Sequence, residues 1–263
     1  MKVTLIDHTG KGSPDPDYAV NILLFTKNTR LEMSPSLLDE VAVWPAEKKT
    51  KELEYMANTI PSSWEFVDYT FMIEGVTRAF THQFVRTRTA SYAQQTMRVL
   101  DVSEGPGWDY LAGPTIGPVM GDEDACGKAA GDPVAARNFL YHNVMSVIAG
   151  AYRRLIKDGA AIEDARGILP TNIKTNIVAK MNMRTFVEMA RKRSSPRTQG
   201  EYRDVLEAMK EAVRAVHPWI GLFIDRDFDT VSQEFYDEIL ASDLPQEGKT
   251  KLIKFIDQLR AIA

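Results

Sequence analysis

The 263-residue chain has a single cysteine, Cys126. Neither an internal disulfide nor a cysteine-built zinc cluster can form from one thiol, which fits a reducing compartment. No uncharged apolar stretch reaches the roughly eighteen residues of a membrane span, and the opening MKVTLIDHTGKG has no apolar run of signal-peptide length. A cytoplasmic protein with no membrane partner is expected. Excess positive charge is also missing: 32 Lys plus Arg against 36 Asp plus Glu leave −4. That argues against nucleic acid as the partner and leaves room for a local basic pocket. The four histidines lack His-Glu-x-x-His spacing, and Asp122, Glu123 and Asp124 are consecutive rather than alternating. No metal site is expected. Neither the glycine-rich phosphate loop ending in Lys-Ser/Thr nor the GxGxxG fingerprint occurs.

What remains is an ordinary globular composition: 44 % hydrophobic residues are enough to bury a sizeable core. Residues 3–7 and 66–73 read as strands. Residues 18–28 are weakly helical, Pro35 and Pro45 interrupt the next stretch, and 46–57 is a better helix. An apolar helix over 75–85 carries Arg78, His82 and Gln83. The strongest helical periodicity lies over 135–157, with Gly159 as its C-cap and a short helix at 162–166. Helices are predicted over 176–192 and 199–216, a break at His217-Pro218, and two further helices over 230–241 and 249–262. The class is helix-rich α+β (α/β mixed). The boundaries expected are a domain over 1–225, with a short hairpin or insertion in the Gly-, Pro- and acid-rich 101–131, and a C-terminal helical extension over 226–263.

The informative segment is FTHQFVRTRTASYAQQTMRV, residues 80–99. Arg86 and Arg88 alternate, Arg98 comes ten residues later, and Ser91, Tyr92, Gln94, Gln95 and Thr96 place neutral hydrogen-bonding groups between them. Arginines grip phosphate oxygens in forked geometry, while amides and hydroxyls orient a base or sugar without adding charge. Surface ion pairs around a strand would use the same residues. A second basic segment, 182–202, carries Arg184, Arg191, Arg193 and Arg197. On a helix, Arg184, Glu188 and Arg191 could form an ion-pair ladder, and Arg193 would project from the helix end.

These residues resemble the flavin-dependent thymidylate synthase family. Its signature is Arg-His-Arg, seven residues, then Ser. In this chain Arg86-Thr87-Arg88 is followed by seven residues and Thr96. Glu65 with YTF at 69–71, YRRL at 152–155, Arg166, Leu169-Pro170, Asn182-x-Arg184, Arg193 and Gln199-x-Glu201 fall in family order. The resemblance implies a central sheet flanked by helices and a homotetramer binding FAD across subunits. It also implies reduction by NADPH and transfer of a one-carbon unit from methylenetetrahydrofolate to carbon 5 of a pyrimidine deoxynucleoside monophosphate, dUMP. It puts Arg86, Arg88, Asn182 and Arg184 at FAD. Gln83, Gln94, Gln95, Thr96, Arg98, Arg166 and Arg193 fall at the nucleotide, with Arg193 stabilising charge on the reacting pyrimidine.

Several positions depart from the family pattern. Thr87 stands for the signature histidine, Ile60 for an upstream histidine, Gln94 for a glutamate, Thr96 for a serine and Glu188 for an asparagine. Three alternatives stay open on the sequence: a thymidylate synthase, a related enzyme that hydroxymethylates or takes dCMP, and a non-catalytic homologue. No cysteine chemistry is implied, since Cys126 sits in an acidic, glycine-rich segment away from every motif.

Overall fold

The computed structural model describes residues 1–29, 31, 33–98, 109–117, 132–193, 198–225 and 228–262. Cys126, Trp108, Arg197, the Asp122–Asp124 run and most of the segment 101–131 lie outside them. Among the described residues, four strands are hydrogen-bonded in the order β1-β2-β4-β3: β1 (Lys2–His8), β2 (Asp68–Thr77), β3 (Ser91–Gln94) and β4 (Lys174–Asn182). The larger helices are α1 (Tyr18–Lys27), α2 (Pro35–Ala42), α3 (Ala46–Thr59), α4 (Arg78–Phe84), α5 (Pro133–Lys157), α6 (Met183–Arg193), α7 (Gly200–Val216), α8 (Phe228–Ala241) and α9 (Gln246–Ile262). The mixed α/β fold, a central antiparallel sheet flanked by helices, is the one expected.

The register is set by a few backbone bonds. The Thr9 amide donates to the Asp68 carbonyl (3.1 Å), whereas a Cβ on Gly75 would lie 3.5 Å from the Met1 nitrogen, so β1 and β2 run antiparallel. Gly75 takes φ +67°, a left-handed conformation that favours glycine. In β2, Tyr69, Phe71 and Ile73 are buried between half-buried neighbours. In β4, Thr175, Ile177, Ala179 and Met181 are buried while Asn176, Val178 and Lys180 are not. This period of two is the mark of a strand.

The structure corrects three expectations. Residues 176–182 belong to β4, not to a helix. The helix starts at Met183, where the Asn182 Oδ1 accepts the Thr185 amide (2.9 Å). Likewise β2 runs on through Gly75 to Thr77, and α4 starts only at Arg78 because the Thr77 hydroxyl caps the Phe80 amide. Pro35 opens α2 rather than merely interrupting the chain, since a first helical residue needs no amide donor.

The chain divides into two compact units: Met1–Thr4, Phe71–Ala179 and Gln199–Val205 form the first, and Leu5–Thr70, Lys180–Thr198 and Leu206–Ala263 the second. In the first, Phe80 stacks on Phe84 (5.0 Å) and Tyr202 meets both edge-on (5.3 and 5.9 Å). That cluster fixes α4, the helix that presents Arg78 and His82. In the second, Trp64 meets Phe223 edge-on (5.2 Å) and Tyr69 meets Phe186 (5.7 Å), which fixes α6. Arg191 closes this core by donating two bonds to the Phe223 carbonyl (2.9 and 3.2 Å), so its hydrogen bonds go to the core rather than to the expected ladder, although the charge of Glu188 still acts on it.

Candidate active site

The first unit holds a cavity of about 480 Å³ lined by Arg78, His82, Met97, Glu163, Arg166, Gly167, Leu169, Pro170 and Thr171. Arg78 and His82 are one turn apart on α4, and Arg166 succeeds the single helical turn Ile162–Ala165. The first turn of α4 is tied to the segment 171–173, of which Thr171 lines the cavity. The Arg78 amide donates to the Ile173 carbonyl (3.1 Å) and the Ala79 amide to that of Thr171 (2.8 Å). Burial, and then the positive charge of Arg166, hold the Arg78 guanidinium below the ordinary arginine range. Two arginines facing one space repel each other when it is empty of anions. An anion between them removes that cost.

Arg98 joins the same place from the other side: its Nε donates to the Glu163 carboxylate (3.1 Å), and the Thr96 hydroxyl accepts the Arg98 amide (3.1 Å), a turn that presents the side chain. Arg166 Nε donates to the Glu163 carbonyl (3.2 Å), which leaves the rest of its fork directed elsewhere. With Arg78, Arg98 and Arg166 against Glu163, the cavity and its rim carry a formal excess of two positive charges. A phosphate monoester carries about −1.5 to −2 near neutral pH. Met97, Leu169 and Pro170 supply apolar surface beside this charge.

The other residues selected in the sequence are spread over several places. Arg86-Thr87-Arg88 lies on the turn leaving α4, where the Arg86 amide returns to the Gln83 carbonyl (3.1 Å) and the Thr87 amide to that of Phe84 (3.2 Å). The Tyr92 hydroxyl is 3.0 Å from the carbonyls of both Phe84 and Thr87, so β3 braces this turn. Burial, partly offset by a hydrogen bond with the Thr87 side chain, pushes the Tyr92 phenol up to about 12. Arg86 and Arg88 are exposed, and among the described residues neither has a carboxylate partner. Gln83 is exposed and does not line the cavity. Gln94, half-buried on β3, sits 3.5 Å from the Thr175 hydroxyl. Gln95 lines a separate hollow of about 240 Å³ with Met72, Ala93, Asn176, Ile177 and Val178.

In the second unit Arg184 is forked between two carboxylates, Nη1 to Glu65 (2.7 Å) and Nε to Glu188 (3.1 Å), and Lys192 also approaches Glu188 (3.8 Å). These hydrogen bonds, Glu188 first, raise the Arg184 pKa. Asn182 caps α6, and Arg193 is half-buried at the last residue of that helix. Arg78 and Glu163 line the cavity but were not among the site residues selected in the sequence. Their signals were a cation four residues before His82 on one helical face, and an acid three residues before Arg166.

Comparison with known proteins decides the family. The model of the family "Thymidylate synthase complementing protein" (Thy1) matches residues 4–219. The chain belongs to the flavin-dependent thymidylate synthase family. A flavin-dependent thymidylate synthase of Geobacter sulfurreducens is 34 % identical over 222 residues, covering 84 % of this chain and 85 % of its own. One of Clostridium tetani is 30 % identical over 226 residues, covering 83 % and 84 %. The flavin-dependent thymidylate synthase ThyX of Helicobacter pylori, solved with FAD and dUMP, superposes with a TM-score of 0.57 at 19 % identity. It covers 86 % of this chain and 99 % of its own, a likeness of fold. Membership places the chain among enzymes that use a flavin to modify a pyrimidine nucleotide. Among the described residues, no helix is long and apolar enough to cross a membrane.

Proposed function

We propose that the protein converts dUMP to dTMP: one carbon from methylenetetrahydrofolate goes to carbon 5 of the pyrimidine, and NADPH supplies the reducing equivalents through FAD. The observation that carries this is the cavity between Arg78 and Arg166, which together with Arg98 at its rim has a two-charge excess over Glu163 that matches a nucleoside 5′-phosphate. In it, Arg78, Arg98 and Arg166 hold the phosphate, each able to present a rigid donor fork. Thr96 fixes Arg98 through its hydroxyl. Gln83, Gln94 and Gln95 are the neutral groups assigned to sugar and base. Arg193 is the catalytic residue, stabilising negative charge that develops on the pyrimidine and so favouring the transition state over the ground state.

The FAD assignment has a structural fit. Arg86 and Arg88, exposed cations with no carboxylate partner among the described residues, suit a diphosphate. Asn182 and Arg184 are the further contacts, although the charge of Arg184 is already compensated by Glu65 and Glu188. When bound, a flavin supplies hydride chemistry that no side chain has. The chain's own work is to bind, orient and exclude water. A cytoplasmic homotetramer is part of the proposal. Its support is a stripe on α5 in which Leu140, Val144, Val147 and Leu155, at helical spacing, remain 62, 41, 63 and 38 % exposed.

Thr87 and Gln94 favour a second reading, a related enzyme with another pyrimidine or another fate for the carbon. Thr87 has a hydroxyl in place of the family's imidazole, so it can neither carry its charge nor stack as a ring; the Tyr92 hydroxyl holds its main-chain carbonyl (3.0 Å). Incubation of the FAD-loaded protein with NADPH, methylenetetrahydrofolate and dUMP, dCMP, UMP or CMP, with products identified by mass, tests both. Formation of dTMP from dUMP supports the first. A hydroxymethyl product or selective turnover of dCMP moves the assignment to the second, and no turnover of any nucleotide removes both.

A further inference from the structure

Glu201 lies outside the cavity and has no place in the proposed chemistry, yet its carboxylate spends both oxygens on one residue. Oε1 accepts the Thr77 amide (2.7 Å) and Oε2 accepts the Thr77 hydroxyl (2.6 Å). Thr77 is 4 % exposed, and its hydroxyl oxygen in turn accepts the Phe80 amide (3.0 Å), the N-cap bond of α4. A threonine hydroxyl can turn its proton either way. The carboxylate settles the matter, because a group that only accepts forces the hydroxyl to donate outward and keep its lone pair for the helix. The next two amides, of Arg78 and Ala79, go to the carbonyls of Ile173 and of the cavity-lining Thr171. Backbone donors at the start of α4 are thereby assigned in sequence, and Arg78 is the first residue of that helix.

We infer that Glu201 is a positioning residue for nucleotide binding: through Thr77 it sets the start of α4, and with it the direction of Arg78 into the cavity. The inference rests on the nucleotide-phosphate reading of that cavity. The energetic reason for such a device is the repulsion between Arg78 and Arg166. An arginine on a frayed first turn would swing away from its like-charged neighbour, and the anion would have to bring it back at the expense of affinity. A helix start locked by a charge-assisted network holds the two guanidinia together before the anion arrives.

The test compares Glu201→Gln, Glu201→Ala, Thr77→Val, Thr77→Ser and the Glu201→Ala/Thr77→Val pair in the full-length FAD-loaded protein. It reads dUMP affinity by calorimetry, KM and kcat separately, and exchange of the Arg78, Ala79 and Phe80 amides. The expected result is a dUMP Kd and KM raised about 10- to 100-fold in Glu201→Ala with kcat changed less than about threefold, since uniform binding is what is lost. Glu201→Gln, which keeps the shape and one acceptor, should fall between, and Thr77→Ser should keep wild-type affinity. The double variant should be no worse than either single one, the signature of a shared path. Exchange of the three amides should accelerate in step with the loss of affinity. Unchanged dUMP affinity in Glu201→Ala, or additive losses in the double variant, overturns the inference while the cavity reading stands. Should wild-type protein bind no dUMP, the cavity reading fails by itself, and unaltered amide exchange in the soluble Glu201→Gln variant would overturn the positioning role separately.

Discussion

Replacing Arg78 by glutamine should make the protein more stable and a worse nucleotide binder at once. In the free protein, burial and the charge of Arg166 both work against the Arg78 guanidinium. Removing it relieves both while leaving a side chain that still packs beside Met97 and Thr171. Relief of a partly solvated like-charge contact is worth on the order of 0.5 kcal/mol, or about 1–2 °C in Tm for a domain of this size. Binding goes the other way. A hydrogen bond to a charged group contributes about 1.5–3 kcal/mol, which corresponds to about a ten- to 150-fold rise in the dUMP Kd. Arg78→Lys keeps the charge without the fork and should lie between. Calorimetric titration with dUMP and thermal melts without ligand, both at low salt and at about 0.3 M, read the two quantities. The gap in affinity should narrow with salt, because exposed charges are screened over about a Debye length. A dUMP Kd within about twofold of wild type would refute the anion-site assignment. A Tm that falls together with affinity would show that Arg78 acts through packing.

Glu188→Gln should strengthen FAD binding, by about two- to fivefold at low salt and less at high salt, because Arg184 then keeps only Glu65 as an anionic partner; flavin fluorescence quenching measures it. Val147→Asp on α5 should leave the monomer folded and break the assembly, since each exposed Val or Leu of the stripe is worth about 1.5–3 kcal/mol when buried; light scattering over a concentration range reports the state, and an unchanged mass would remove α5 as the interface. His217 gives a pH dependence. Burial first, then the charge of His8, depress its pKa to about 4, while the Thr9 carbonyl opposes the shift. Its neutral ring lies 3.1 Å from the Tyr69 hydroxyl through Nδ1. A depressed histidine contributes stability that is complete above the unfolded value near 6.5 and is lost as pH falls from there towards 4, at most about 3 kcal/mol. Urea melts between about pH 4 and 8 should show this slope in the wild type and its absence in His217→Gln.

Much of the fold was legible because its signals are local. Helix α5 shows its apolar periodicity over about seven turns, His217-Pro218 breaks the chain where α7 ends, and the β-branched and apolar Val3–Ile6 mark the first strand before the Gly10–Gly12 turn. Strand β4 was not recognised, since the apolar TNIVAKMN runs without a turn into the helical MRTFVEMA. The boundary between them is one side chain, Asn182, acting as a cap. Strand β3 has only four residues, too few for any period to register. At the site, the arginines were readable as a class, but their states were not. Arg184 meets Glu65 across 119 positions of sequence, and no spacing rule anticipates that Arg98 faces Glu163, 65 positions on. Arg78 is visible in the sequence only as a cation on an apolar helix; its neighbour Arg166, distant in sequence, gives it meaning, and that neighbour is a product of the fold.

The departures from the family pattern fall unevenly over the site, and that unevenness says where specificity has room to change. The proposed phosphate end is built from the capped helix α4, the Thr96 turn and the Ile162–Ala165 turn, and it carries Arg78, Arg98 and Arg166. Gln94 and Thr87, by contrast, stand where the resemblance puts ionisable side chains, and each is neutral: the Gln94 amide sits 3.5 Å from the Thr175 hydroxyl, and the Thr87 backbone carbonyl accepts the Tyr92 hydroxyl. A neutral amide can both donate and accept, so it can serve a pyrimidine with a carbonyl or an amine at the same edge, where a carboxylate could serve only a donor. Gln94→Glu should therefore sharpen discrimination between dUMP and dCMP without weakening the phosphate grip. Comparing kcat/KM for the two nucleotides against the Kd for inorganic phosphate separates these effects. An unchanged ratio between dUMP and dCMP would take Gln94 out of base recognition. A shifted ratio with constant phosphate affinity would place the divergence of this enzyme at the base rather than at the anion site.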